Sequence, residues 1–407
     1  MTEEDLDGPD GHQSNGSADT RTSQPRRRSA VRALIQDFSP VWVTWSMNTG
    51  ILGLLCHTLP YQFSGLGIIS SVLFVIDLVI FVLCSTLMVL RFLLYRKAAW
   101  TEITGDVNEL CFMACFPIAW MTLTTLTALI ASNAYWGGHA FTVLAYVMWW
   151  ISVVWVLLFG IAIYIILTLK PLTEARNLSL AIILPAVATS TAAAEGGLLS
   201  IYSKDISARL AVPMIIFSFM LVGVGFFIAI LVYALFLQRI LVNGWFDGVR
   251  RPSLIILLGP VGQSATALMA LSTAATKHFA EYGRGIFLQQ QAAMALHGAC
   301  MVFALMMFGL GLFWTLWALY AILHAVFTRD IKWTPAWYST IFPSGTMCSA
   351  MILFSEQMDS PTFRVLATAL LIILVVNTLV NAAYTLRGIA RRQILIVRED
   401  PRVKKEG

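Results

Sequence analysis

Long apolar runs separated by short polar connections dominate the chain from residue 41 onward. Ten of them approach or exceed the roughly 20 residues that a helix needs to cross a bilayer. They are Val41–His57, Gly67–Leu94, Met113–Ser132, Ala140–Leu169, Leu178–Ser200, Ile206–Leu237, Ser253–Ala275, Gln291–Val326, Ala336–Glu356 and Val365–Leu386. A bilayer offers no water to backbone groups, so each run is predicted to be helix rather than open strand. The ten-residue alternating segments of a membrane β-barrel are missing.

A slower repeat is superimposed on these runs. Pro117, Pro185, Pro260 and Pro343 each open a stretch of small and hydroxyl residues (PIAWMTLTT, PAVATSTAAA, PVGQSATAL and PSGTMCSA), at intervals of 68, 75 and 83 residues. Such a unit holds two spans and their connections, as in proteins that arrange helical hairpins around a common site. Spans 2, 4, 6 and 10 are dominated by large apolar residues and span 8 is mixed. Spans 5, 7 and 9 carry Gly, Ala, Ser and Thr, with spans 1 and 3 weaker versions of the same. Small residues let backbones approach and bulky ones can face lipid. The pattern therefore predicts an all-α membrane protein of ten transmembrane helices, paired as five helical hairpins with quasi-fivefold symmetry. Its odd helices would line a central pore. A proline inside a helix removes one hydrogen bond and clashes with the carbonyl four residues back. Four at matching places are expected to kink an inner ring around a constriction, with Ser and Thr satisfying freed carbonyls.

Composition agrees with the pattern. The 407 residues are 58% hydrophobic and 12% charged, about half the charge of a soluble domain. Orientation follows from the basic residues. With the N-terminus inside, 22 of the 27 Lys and Arg fall in the tails and inner connections, leaving Lys204, Arg209, Lys277, Arg284 and Arg364 outside. Both termini are then cytoplasmic. The formal charge of +5 reads as this asymmetry and not as a nucleic-acid footprint. Residues 1–38 form a polar tail with the run Arg26–Arg27–Arg28, expected to be disordered; 39–391 form the ten-helix membrane domain and 392–407 a basic C-tail. The late first apolar run argues against a cleaved signal peptide. The tail serines Ser14, Ser17, Ser23 and Ser29 lie beside basic residues, as phosphorylation sites do. The sequons at Asn15 and Asn177 fall on the inner side, where glycosylation is not expected. The six cysteines offer no disulfide framework, and Cys111 with Cys115 makes a poor metal site. No cofactor is called for.

The segments FSPVWVTWSMNTGIL, FPIAWMTL, YVMWW, ILLGPVGQSA and IFPSGTM resemble a known family. The chain is similar, from about Ser39 to Arg391, to the tellurite-resistance/dicarboxylate transporters, which include slow anion channels and yeast malate permeases. Within them it is nearest to the fungal sulfite efflux pumps. The resemblance implies ten helices in five hairpins, an anion pathway through the inner ring, and a homotrimer. It also implies that Phe342, immediately before Pro343, closes the pore, because the family's gate is a phenylalanine at this position of the ninth helix. A flat apolar ring aimed into a narrow passage would dewet it. Phe116 precedes Pro117 in the same way and is a second layer or simply core.

Anion contacts are expected from donors near the prolines: Thr44, Ser46 and Thr49 in span 1, Gln263 and Ser264 in span 7, and Thr346 in span 9. The middle of every span is free of Lys and Arg, so binding should be weak, with positive potential supplied by basic residues at the inner mouth. Two acids are intramembrane and are functional candidates by that fact alone. Glu195 departs from the family's small residues and is a candidate for proton coupling, unless it faces water at the outer end of span 5. Asp77, on an outer-ring span, reads as a structural hydrogen-bonding group, and His297 as packed or proton-assisting. His57 and His139 sit near the outer face.

These readings converge on a plasma-membrane protein exporting sulfite or a small organic anion, with malate or another C4-dicarboxylate as the alternative. A polytopic membrane enzyme is the competing class, but the chain has no HExxH and no CxxC. A receptor would need a sizeable soluble domain.

Overall fold

The computed structural model describes residues 29–170, 178–285, 287–391 and 394–395. The expectations for the N-tail through residue 28, for both sequons and for residues 396–407 lie outside these residues. Everything long in the described chain is helical: α1 Ala30–Gln36, α2 Thr44–Thr58, α3 Leu66–Ile103, α4 Val107–Phe112, α5 Cys115–Leu126, α6 His139–Leu169, α7 Leu184–Tyr202, α8 Ala208–Asn243, α9 Leu258–Tyr282, α10 Gln290–Phe327, α11 Phe342–Gln357 and α12 Pro361–Ala390. Eight helical segments are long and apolar enough to cross a membrane. The first and ninth predicted spans correspond to α2 and α11, of 15 and 16 residues. Each is led in by a 3₁₀ turn, Pro40–Val43 and Pro335–Thr340. A 3₁₀ turn rises about 2 Å per residue, which brings α2 with its lead-in to about 30 Å.

Burial divides the helices into two sets. The most apolar windows through α5, α7 and α9 are 83%, 94% and 100% buried, whereas those of α3, α6, α8, α10 and α12 range from 17% to 44%. The buried helices pack in a closed circuit: α2 on α5, α5 on α7, α7 on α9, α9 on α11, and α11 back on α2. Outside them, α3 lies against α2 and α5, α6 against α5 and α7, and α8 against α7 and α9. Next come α10, against α9 and α11, and α12, against α11 and α2. An outer helix turns one stripe inward and leaves the rest apolar and exposed. In α3 that stripe is Ser70, Asp77, Phe81, Cys84, Met88 and Arg91, at three-, four- and seven-residue spacing. Val72, Val75, Leu78, Val82 and Leu83 point away from the body. This is the reverse of a soluble bundle, as expected where the surroundings are hydrocarbon.

The prolines do not act as predicted. None of the four bends an inner helix in mid-course. Pro185 and Pro343 are the second residues of α7 and α11, and Pro117 and Pro260 the third residues of α5 and α9. A helix does not need an N–H in its first turn, so proline there costs nothing and presets φ. Each proline marks where a tight lead-in gives way to α-helix. Outer-helix tyrosines satisfy carbonyls at two of these junctions. Tyr164 of α6 donates to the Ile182 carbonyl (3.2 Å) and Tyr233 of α8 to that of Leu257 (2.7 Å), in both cases three residues before the proline. The hydroxyls do bond back to their own helices: Thr189 to Pro185, Thr191 to Val187 and Thr346 to Pro343.

Small residues set the distances within the inner circuit. A side chain at Gly197 would place its Cβ 2.7 Å from that of Ala270, and one at Gly262 would strike Thr346 Oγ1 and lie 2.9 Å from the Met347 amide. Gly262→Ala should therefore destabilise the protein by about 1–3 kcal/mol through overpacking. Gly67→Ala, which meets nothing within 4 Å, should leave stability unchanged or slightly raised. Thermal unfolding in detergent checks both, and equal melting temperatures would contradict the close α9–α11 approach.

Candidate functional site

Each buried helix is reached through a lead-in that starts with a polar cap. Ser39 accepts from the Val41 amide, Asp106 from Asn108 and Glu109, and Ser179 from Ala181, while Asp247 and Thr334 occupy the corresponding places before α9 and α11. The five lead-ins converge on a vestibule of about 660 Å³. Its charged side chains, among the described residues, are Asp106, Glu109, Asp247 and Arg250. Among the described residues, three carboxylates and one guanidinium line this vestibule. Arg91 cannot compensate, being buried on the Phe38 carbonyl (2.7 Å) and Glu102 (2.7 Å). The helix starts that converge there point N–H ends of partial positive charge toward it.

Two smaller cavities continue inward from the vestibule. The first, of about 10 Å³, shares Phe112, Ile256 and Ser339 with it and is otherwise walled by residues such as Thr44, Ile118 and Val187. The second, of about 20 Å³, is lined by all five buried helices: Ile51 and Leu54 of α2, Met121, Thr122 and Thr125 of α5, Thr191, Ala194, Glu195 and Leu198 of α7, Gln263 and Thr266 of α9, and Phe342 and Ser349 of α11. Phe342 is the wall common to both. Its ring is 1% exposed. Space on this scale holds about one water molecule, so an oxyanion cannot pass without movement of the side chains.

Of the residues singled out in the sequence, Gln263 and Glu195 line the inner cavity, and Thr44 and Pro343 line the one nearer the vestibule. The others sit behind the wall. Ser46 and Thr122 both donate to Asp77, Thr122 at 2.9 Å, so that this outer-helix carboxyl ties α2 to α5. Thr49 bonds the Trp45 carbonyl, Ser264 bonds Ser190, and Thr346 is fully buried on Pro343. Phe116, Pro117, Pro185 and Pro260 border none of the three cavities. His297 meets the Ser272 hydroxyl at 3.1 Å.

Donors facing the inner cavity are few. Thr125 and Thr191 spend their protons on carbonyls of their own helices and Thr122 on Asp77 and Ala119. The Gln263 amide has no hydrogen bond among the described residues and the Ser349 hydroxyl is unpartnered. Glu195 is 2% exposed. Thr124 and Ser152 lie beside its carboxyl but donate to the Trp120 and Met148 carbonyls, which leaves both carboxyl oxygens without a partner.

Sequence reasoning passed over Asn48, the group that holds Phe342. Phe342 is the first residue of α11, and in a continuous helix its N–H would reach the Tyr338 carbonyl. Instead the Asn48 amide bridges the two: Oδ1 accepts from Phe342 N (3.1 Å) and Nδ2 donates to Tyr338 O (3.1 Å). Tyr338 is fixed in turn by Thr385 of α12 (2.9 Å). An amide inside an apolar span was a visible signal, but its partners are 290 and 294 residues away.

A multi-pass helical membrane protein with small buried cavities along the middle of a helix circuit is the class this arrangement defines. The chain belongs to the SLAC1 family of voltage-dependent anion channels, which it matches over residues 37–386. It is 26% identical over 334 residues to a sulfite efflux pump of Trichophyton rubrum, covering 82% of this chain and 86% of that protein. It is 23% identical over 354 residues to a malic acid transport protein of Schizosaccharomyces pombe (84% and 76%). An uncharacterized transporter of Methanocaldococcus jannaschii is 22% identical over 315 residues (77% and 82%).

Asn48→Leu should leave the Phe342 N–H unpaired and the Tyr338 carbonyl with only the long bond from the Ile341 N–H (3.4 Å), and cost roughly 1–3 kcal/mol, read as a lower unfolding temperature in detergent. A loss below about 1 kcal/mol would mean that α11 closes its own ladder across the gap.

Proposed function

We propose that this chain is a plasma-membrane anion transporter that exports sulfite through a central pore closed by Phe342. The observation that carries the reading is the series of cavities running inward from the vestibule and interrupted at one buried aromatic ring. In this reading the ten predicted spans form five hairpins with quasi-fivefold symmetry, residues 39–391 are the transporter domain, and both termini and the vestibule are cytoplasmic. The protomers assemble as a homotrimer, as the family resemblance implies. Anions collect where the helix N-termini converge, and they enter when the Phe342 ring turns aside.

Past the ring, Gln263 and Ser349 supply hydrogen-bond donors without a fixed cation, a balance that suits throughput over tight capture. Thr44 meets the anion before the gate, Ser46, Thr49, Ser264 and Thr346 shape the wall, and Phe116 backs it. Prolines 117, 185, 260 and 343 fix where each inner helix begins, and Glu195 can carry a proton with the anion. Sulfite is favoured by the relatedness to efflux pumps over most of both chains. A C4-dicarboxylate is the second reading, because malic acid transport proteins align over a similar length. The named relatives are transporters, and that weighs against the membrane-enzyme class.

Proteoliposomes loaded with sulfite or malate test the reading. Phe342→Ala should raise sulfite efflux at least about tenfold at equal protein content, since removing the ring relieves both the steric and the dewetting barrier. Malate efflux exceeding that of sulfite would move the substrate to the second reading. Unchanged efflux of both would remove the gate assignment.

A further inference from the structure

Glu195 is the one carboxyl lining the cavity beyond Phe342, and nothing there offsets its charge. From α2 the cavity receives Ile51 and Leu54, from α9 Gln263 and Thr266, and from α11 Phe342 and Ser349; among the described residues no Lys, Arg or His lines it. Beside the carboxyl stand Thr124 of α5 and Ser152 of α6, both with hydroxyl protons committed to backbone carbonyls. Ser218 of α8 abuts the next residue, Gly196. Asp77 stands behind Thr122 of this wall, held by two hydroxyls. Toward the far end of α7, His278 bonds the Ser200 carbonyl (2.8 Å), five residues beyond Glu195.

In its two protonation states this carboxyl does opposite things to an anion. Ionised, it places a full negative charge on the wall of a passage about one water molecule wide. Protonated, it adds an O–H to the donors of Gln263 and Ser349. We infer that Glu195 is the charge selector of this pathway, admitting monoanions while its carboxyl is neutral and repelling them while it is ionised. The inference rests on the pore reading above and refines its substrate class to singly charged anions. Without any cation on the wall, a dianion is disfavoured in either state. Two like charges about 6 Å apart at an effective dielectric of about 20 differ by on the order of 100-fold in Boltzmann weight. That is the scale of the expected effect.

Chloride is the probe, because it carries no proton at any working pH. Its efflux is measured from proteoliposomes of the full chain between pH 5 and 8, in Phe342→Ala and in the same variant carrying Glu195→Gln or Glu195→Ala. Sulfate serves as the dianion. The expected result is chloride efflux that climbs at least about tenfold toward acid in Phe342→Ala. In both Glu195 variants it should lose that slope and stay at the acidic level, while sulfate remains at least about tenfold slower throughout. A slope that survives in both variants, belonging then to Asp77 or another group, overturns the selector, as does a flat profile in Phe342→Ala. Sulfate moving as fast as chloride overturns the monoanion class. A Phe342→Ala protein silent to chloride at every pH overturns the pore reading itself, and this inference with it.

Discussion

The interior of this protein is organised by the demand that backbone groups at five buried helix starts find partners where little water reaches. The first residues of a helix leave N–H groups without intrahelical acceptors, and in an apolar body each unpaired group costs free energy comparable to a lost hydrogen bond. Here the starts are met by polar caps at the vestibule, by prolines that have no N–H to satisfy, and by side chains reaching across from neighbours. The Asn48 amide bridging Phe342 and Tyr338 is the most consequential of these. It spares α11 one rung of its own ladder and holds the backbone of the aromatic residue that separates the two inner cavities.

The same demand explains why so few of the many hydroxyls in the buried helices face the cavities with a free proton. A threonine in a helix closes a bond to the carbonyl three or four residues back, and most of those here do so. What remains on the wall of the inner cavity is the Gln263 amide and the Ser349 hydroxyl, with Glu195 on the same wall. A buried carboxyl whose oxygens make no full hydrogen bond is costly in such a body, and the packing around Glu195 does not offset that cost. Asp77 is its counterpart. Equally buried, it accepts from two hydroxyls on two different helices and is accounted for by the packing alone.

Much of this was legible before any coordinates. Apolar runs marked the helices, because a bilayer imposes length and composition on whatever crosses it. The contrast between bulky and small-residue spans separated outer from buried helices, since only small side chains permit the approach seen at Gly197 and Gly262. Phe342 and Gln263 stood in motifs that resemble a family and do border the cavities. The prolines were located correctly and misread physically. From one dimension, a proline within an apolar run cannot be told from one at a helix start, because the 3₁₀ lead-in is as apolar as the helix that follows. Ser46 and Thr346 looked like pore groups because they lie near prolines, but a helix face decides exposure, and theirs turn toward Asp77 and Pro343.

The sequence by itself determined that the chain is a helical membrane protein, which helices are buried, and to which family it belongs. The first two follow from composition and period, which are local and additive along the chain, and the family from motifs that resemble it. Only the tertiary structure decided which polar groups face the central cavities, that Asn48 completes the start of α11, and that, among the described residues, carboxylates outnumber cations at the vestibule and Glu195 has no hydrogen-bond partner. Each of these depends on distances between residues tens to hundreds of positions apart. The rotation of each helix sets those distances, and close packing fixes it.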